Sequence, residues 1–169
     1  MNLVLIGYRG TGKSVVANLL SKSLEMKSVG MDAEIIQKAG ASIPEIVERY
    51  GWDKFRDMES EMALYLSQLD NIIIDTGGGV IERHENVKAL SKNAAVFWLQ
   101  ASVNVIVSRI ESSTDRPALV AGKSFTEEVV EVLERRIPKY ADAAQYKIDT
   151  DKKTPAQISG EIARIWKEL

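Results

Sequence analysis

The chain contains no cysteine and a single histidine, His84, set among Glu82, Arg83 and Glu85. Without cysteine there is no disulfide, no thiolate nucleophile and no cysteine-held metal, and one histidine on a polar stretch makes no zinc site. The composition suits a reducing cytosol, and a cytoplasmic protein is expected. A basic surplus is also missing: 22 Lys and Arg stand against 24 Asp and Glu, for a net charge of −2. Nucleic acid and membrane surfaces are therefore not expected as partners, since both usually call for a positive excess. No apolar run approaches the roughly 18 residues that a membrane span needs. The first such run, Leu3 to Ile6, has no basic segment before it and ends at a glycine-rich turn, so it reads as a core strand and not as a signal peptide. With 169 residues and no repeat or linker, one domain over 1–169 is expected.

What the chain does have begins at that turn. Gly7-Tyr8-Arg9-Gly10-Thr11-Gly12-Lys13-Ser14 is a G-x-x-x-x-G-K-S motif between an apolar run and the helical pattern Val15 to Leu20. This is a P-loop in its required context. Its glycines let successive backbone N–H groups turn inward onto an anion at a helix N-terminus. A nucleoside triphosphate suits that cradle, with Gly10 to Val15 around the phosphates, Lys13 reaching the β and γ groups, and the Ser14 hydroxyl as a ligand of one Mg²⁺.

Farther along, Met26 to Met31 reads as a weak strand delivering Asp32, and Ala33 to Ala39 as a helix stopped by Gly40. Ser42 caps another helix with Pro44 in its first turn, and Gly51 interrupts it. The spacing of Phe55, Met58, Met62, Leu66 and Leu69 predicts a helix over 53–69. Buried-type strands follow at Asn71 to Asp75, ending in Thr76-Gly77-Gly78-Gly79, and at Ala94 to Leu99, with a helix from Arg83 to Leu90 between them. A helix over 103–110, a polar segment over 111–124 long enough for a lid, a helix from Phe125 to Ile137, a strand at Tyr146 to Asp149 and a helix from Pro155 to Trp166 complete the chain. Alternating strands and helices predict an α/β fold, a parallel sheet between helices, with ligands at the C-terminal strand ends. The P-loop, Asp32, Asp75 to Gly79 and the polar segment all fall on that edge.

The order and spacing of the P-loop, Asp32, Phe55-Arg56 with Glu59, Gly77-Gly78-Gly79, Arg116-Pro117 and Arg136-x-Pro138-x-Tyr140 resemble the shikimate kinase family over nearly the full length. The resemblance implies a P-loop NTPase of the nucleoside monophosphate kinase-like type, a three-layer sandwich on a five-stranded parallel sheet. It implies transfer of the ATP γ-phosphoryl to the 3-hydroxyl of shikimate, on the way to chorismate and the aromatic amino acids, by a chain working as a monomer. Arg56 and Arg136 resemble a clamp for the substrate carboxylate, which a planar guanidinium can bond bidentately. Asp32 would orient the reacting hydroxyl, and Gly77, Gly78 and Gly79 would let substrate approach the backbone. Glu59 would hold the substrate arginine, with Phe55 beside it, on substrate-binding helices at about 33–62. From the lid, Arg116 would reach the transferring phosphate, and Pro117 and Leu119 would cover the substrate ring. Arg109 is read either as stacking on adenine or as a helix-surface residue.

Some positions depart from the family pattern. The second strand usually ends in D-x-D, whereas Gly30-Met31-Asp32 keeps only the second carboxylate. Asp75, ending an apolar run, is a candidate to replace the missing one through a Mg²⁺-bound water; alternatively it is a structural partner of Lys13 or Ser14. Val47 stands where an aromatic commonly lines the substrate pocket, and Trp52 where glutamate is common. Asp32 also suits the N-cap of the following helix. Besides shikimate phosphorylation, a gluconate-type or nucleotide-type kinase and a non-catalytic ATP-binding paralogue are compatible with a P-loop on this scaffold.

Overall fold

A computed structural model describes residues 1–110 and 124–169 of the chain. The apolar runs become strands β1 (Asn2–Ile6), β2 (Lys27–Gly30), β3 (Ile72–Asp75), β4 (Ala94–Gln100) and β5 (Tyr146–Asp149), forming one sheet in the order β2-β3-β1-β4-β5. Every neighbouring pair is parallel. Alternate residues feed opposite faces. Val4, Ile6, Ile74, Val96 and Trp98 join one core cluster, while Leu3, Leu5, Ile73, Phe97 and Leu99 join another. That is why these strands read as unbroken apolar runs: a parallel sheet is covered on both sides.

Helices α1 (Lys13–Leu24) and α7 (Pro155–Lys167) supply the cover on the second face through Val16, Leu20, Ile158 and Ile162. On the first face lie α2 (Met31–Ala39), α3 (Ile43–Ser67), α4 (His84–Ser91) and the far end of α6 (Phe125–Ala143). The short α5 (Val103–Ile110) packs with α6 around Tyr8 in a third cluster. Local signals set most of the ends. Ser42, Ser124 and Thr154 each form a capping box. Gly51 bends α3 with φ of 82°. The arrangement is the three-layer α/β sandwich that the sequence predicts.

Two boundaries differ from expectation. α2 begins at Met31 with Gly30 as its N-cap, so Asp32 lies in the first helical turn and does not cap it. There its charge complements the helix dipole. α6 runs through Pro138 to Ala143, six residues beyond the predicted stop at Ile137. Proline costs that helix one backbone hydrogen bond. The later turns are held by tertiary packing instead: Tyr140 is fully buried, stacks on Trp98 at 5.5 Å and donates its hydroxyl to Gly78 O at 2.5 Å.

Candidate active site

The chain leaves β1 toward β2 and β3 on one side and returns to β4 on the other, and the P-loop follows β1 at that crossing. Open parallel sheets hold ligands in such a crevice. Thr76, one residue past β3, takes part in fixing its neighbour: its backbone N–H and its hydroxyl both donate to Leu5 O, at 3.2 and 2.8 Å. This draws the glycine turn 77–79 against the start of the P-loop. A Cβ at Gly78 would stand 3.2 Å from Arg9 N and 3.5 Å from Gly7 O, so glycine suits this close approach. Gly7, with φ of +145°, is similarly confined, since a Cβ there would meet Leu99 O at 2.6 Å.

A cleft of about 520 Å³ opens at this edge. It is lined by Gly10, Gly12, Lys13, Ser14 and Val15 of the P-loop, by Asp32, Asp75, Gly77 and Gly78, and by Arg109. Lys13 Nζ donates to Gly7 O at 2.8 Å and Tyr8 O at 3.1 Å, which holds the ammonium over the loop. Thr11 faces inward, its hydroxyl on Tyr8 O at 2.8 Å. Arg109 is exposed and donates to Gly10 O at 3.1 Å, joining α5 to the loop. Ser14 Oγ donates to Asp75 Oδ2 at 2.5 Å, the contact that the sequence offered as the alternative to a metal role for Asp75.

The glycine turn carries the two arginines. Arg56, on α3, is ion-paired with the fully buried Glu59 and has its guanidinium over the rings of Trp52 at 5.3 Å and Phe55 at 5.4 Å. It lies against Gly79, where a Cβ would come within 2.5 Å of its Cζ. Glu59 is thus no exposed helical glutamate. Trp52, which stands where glutamate is common, faces Arg56. Arg136, on α6, has its Nη1 3.7 Å from the place of a Cβ on Gly78. It is buried and its partner is Glu82, not a carboxylate of its own helix.

Glu82 is the residue that sequence reasoning missed. It ends a 3₁₀ turn, Val80–Glu82, directly after the glycines, and binds Arg136, Arg135 and Lys139 together. Burial pushes its carboxyl up, but hydrogen bonds from Lys139 and Arg136 outweigh this and hold the pKa at about 2. Burial disfavours charge on Arg136 as well, yet the oxygens of Tyr140 and Glu82 keep its pKa above the ordinary arginine value. Burial raises the Tyr140 phenol, which stays protonated as a donor to Gly78 O. No local pattern announces a contact between positions 82 and 136. The only hint is three cations, Arg135, Arg136 and Lys139, within five residues of one helix, which together call for a carboxylate.

The expectations for Arg116, Pro117, Leu119 and the lid at 111–124 fall on residues outside those described, apart from Ser124, the N-cap of α6. His84 is exposed, as expected. Among the described residues, no helix is long and apolar enough to cross a membrane.

A family model described as shikimate kinase matches residues 9–167. The chain is 40% identical over 169 residues to a shikimate kinase of Thermodesulfovibrio yellowstonii, covering 99% of this chain and 96% of that one. It is 34% identical to one of Caldicellulosiruptor bescii, covering 97% and 94%. Among solved structures, shikimate kinase from Acinetobacter baumannii in complex with shikimate superposes with a TM-score of 0.94 at 28% identity, covering 99% of this chain and 93% of that one. A gluconokinase from Sinorhizobium meliloti, with a TM-score of 0.58 at 14% identity over 99% and 94% of the two chains, shares the fold alone.

Proposed function

The chain belongs to the shikimate kinase family, and on that premise we propose that it transfers the ATP γ-phosphoryl to the 3-hydroxyl of shikimate in chorismate and aromatic amino acid biosynthesis. The observation that carries this reading is the meeting of two buried-side arginines with the P-loop at one glycine turn. Gly78 touches the P-loop backbone and approaches Arg136, while Gly79 touches Arg56. A small acid gripped there by its carboxylate would present its hydroxyls toward the cleft that Asp32 and Lys13 line.

In this reading Gly10 to Val15 cradle the triphosphate, and Lys13 follows the charge of the β and γ groups. Asp32 accepts a hydrogen bond from the attacking hydroxyl and orients it in line. Phosphoryl transfer has a loose transition state, so positioning contributes more than deprotonation. Arg56 and Arg136 hold the carboxylate as planar forks, and the absence of side chains at 77–79 lets the substrate lie on the backbone. The helices at about 33–62 form the acceptor side. Arg116, with Pro117 and Leu119, closes the site from the segment 111–124 and excludes water. Arg109 serves the nucleotide base.

The residues also fit one Mg²⁺. A hydroxyl and a carboxylate, both hard oxygen donors, converge in the cleft; Ser14 would be the direct ligand and Asp75 would bond through water. When bound, Mg²⁺ neutralises charge on the β- and γ-phosphates. We take the chain to act in the cytoplasm as a monomer on ATP and shikimate, without nucleic acid or membrane.

A coupled ADP-release assay with shikimate, gluconate and nucleoside monophosphates tests the assignment. Turnover with shikimate alone is expected. Turnover with gluconate or a nucleotide, or ATP binding with no turnover, would overturn it.

A further inference from the structure

Three cations of α6 converge on one carboxylate. Glu82 Oε1 accepts from Arg136 Nε at 2.7 Å and from Arg135 Nη2 at 3.0 Å, and its Oε2 accepts from Lys139 Nζ at 2.6 Å. The three differ in what they need. The side chains of Arg135 and Lys139 are 53% and 41% exposed, so water solvates them. That of Arg136 is 4% exposed, and a guanidinium so enclosed requires a paired anion to remain there. Glu82 is that anion, and its contact is directional. It takes the Nε edge of the guanidinium, while Nη1 lies toward Gly78.

Glu82 is itself well fixed. Its backbone N–H donates to Gly79 O at 3.0 Å, and Asn86 Nδ2 holds Val80 O at 3.0 Å, so the carboxylate moves with the glycine turn. Tyr140, one turn after Arg136 on α6, ties that helix to Gly78 O. Arg136 is therefore registered to the turn from two directions.

We propose that Glu82 is a positioning residue for substrate recognition: it sets the rotation of Arg136 so that the guanidinium presents its Nη edge at Gly78 to the carboxylate of the acceptor. This rests on the reading that Arg136 takes that carboxylate. Glu82 does not touch the substrate and has no part in the transfer. Its effect is selectivity for an acid over a neutral acceptor of the same shape.

The test compares shikimate with its carboxamide counterpart as acceptors for the wild type, Glu82→Gln and Arg136→Ala, by steady-state kinetics. A charge-assisted hydrogen bond is worth enough that Glu82→Gln should raise KM for shikimate about tenfold, with kcat within about twofold. KM for the carboxamide and for ATP should stay unchanged, so the preference for the acid collapses. If Arg136→Ala costs the acid no more than the amide, the underlying reading of Arg136 fails. If Arg136→Ala shows the acid-specific loss but Glu82→Gln weakens both acceptors alike or neither, Glu82 is only structural and the proposal is wrong. Should Glu82→Gln not fold, Glu82→Asp keeps the charge and shortens its reach. An acid-specific rise in KM there supports the proposal, and equal effects on acid and amide overturn it.

Discussion

Gly30 and Asp75 stand opposite each other in register on the neighbouring strands β2 and β3, and Asp75 carries its carboxylate from there to the Ser14 hydroxyl at 2.5 Å. The position without a side chain and the position with an additional acid are thus one strand apart, on the same edge of the same cleft. From that place the Asp75 carboxylate stands beside the P-loop serine.

If Asp75 serves the metal, Asp75→Asn raises the Mg²⁺ concentration needed for tight ATP binding by about tenfold, the usual scale for losing an outer-shell ligand. Calorimetric titration of ATP binding at several Mg²⁺ concentrations reads this without turnover. Gly30→Asp in the Asp75→Asn background should restore much of the loss. Room exists for it, since a Cβ at Gly30 has only Ala33 Cβ nearby, at 3.8 Å. An unchanged Mg²⁺ dependence in Asp75→Asn would leave Asp75 as a structural partner of Ser14.

Gly79 leaves the Arg56 guanidinium its place, and a methyl group there would collide with it. Arg56 has Glu59 and two aromatic rings around it, so it cannot yield cheaply. Gly79→Ala is expected to raise KM for shikimate at least about tenfold and to cost about 1–3 kcal/mol of stability as overpacking. Kinetics with urea denaturation checks both. A variant with wild-type KM would mean Arg56 does not grip the substrate in this orientation.

Trp52 contributes through its ring. A cation over an aromatic face is worth about 0.5–2 kcal/mol, depending on desolvation. Trp52→Leu should therefore raise KM for shikimate about threefold, with little change in kcat, and Trp52→Phe should recover part of the loss. Equal effects of the two substitutions would assign Trp52 to core packing alone.

The Glu82 cluster makes stability depend on pH with a defined sign. Its folded pKa is about 2, below the ordinary glutamate value of 4.5, so the unfolded chain binds the proton more readily. The stabilisation is present in full above about pH 4.5 and is lost as the pH falls toward 2. A pKa unit is worth about 1.4 kcal/mol, and with solvent screening the cluster contributes on the order of 2 kcal/mol. Urea midpoints for wild type and Glu82→Gln should differ at pH 6 and converge near pH 2. A gap independent of pH would assign the difference to packing.

The elements that were legible in the sequence are those set by neighbours along the chain. Ser42, Gly40 and Gly51 punctuate α2 and α3 through their own backbone preferences, and the predicted caps and kink are found there. The P-loop is equally local, because a phosphate cradle is built from consecutive N–H groups. The helix predicted from Phe125 to Ile137 runs on through Pro138 to Ala143, because Tyr140 packs against Trp98 and Gly78. Asp32 was placed on the right edge, but its position within a helical turn follows from where β2 releases the chain.

By itself, the sequence determined the alternation of strands and helices, the phosphate loop and the edge on which the chemistry-bearing residues gather, because periodicity and turn preference act over a few residues. Only the tertiary structure decided which carboxylate holds which arginine. Glu82 and Arg136 are 54 positions apart, and Gly30 and Asp75 meet through strand pairing. The cost of burying a charge selects a partner by distance in space, and that distance exists only once the sheet and α6 have packed.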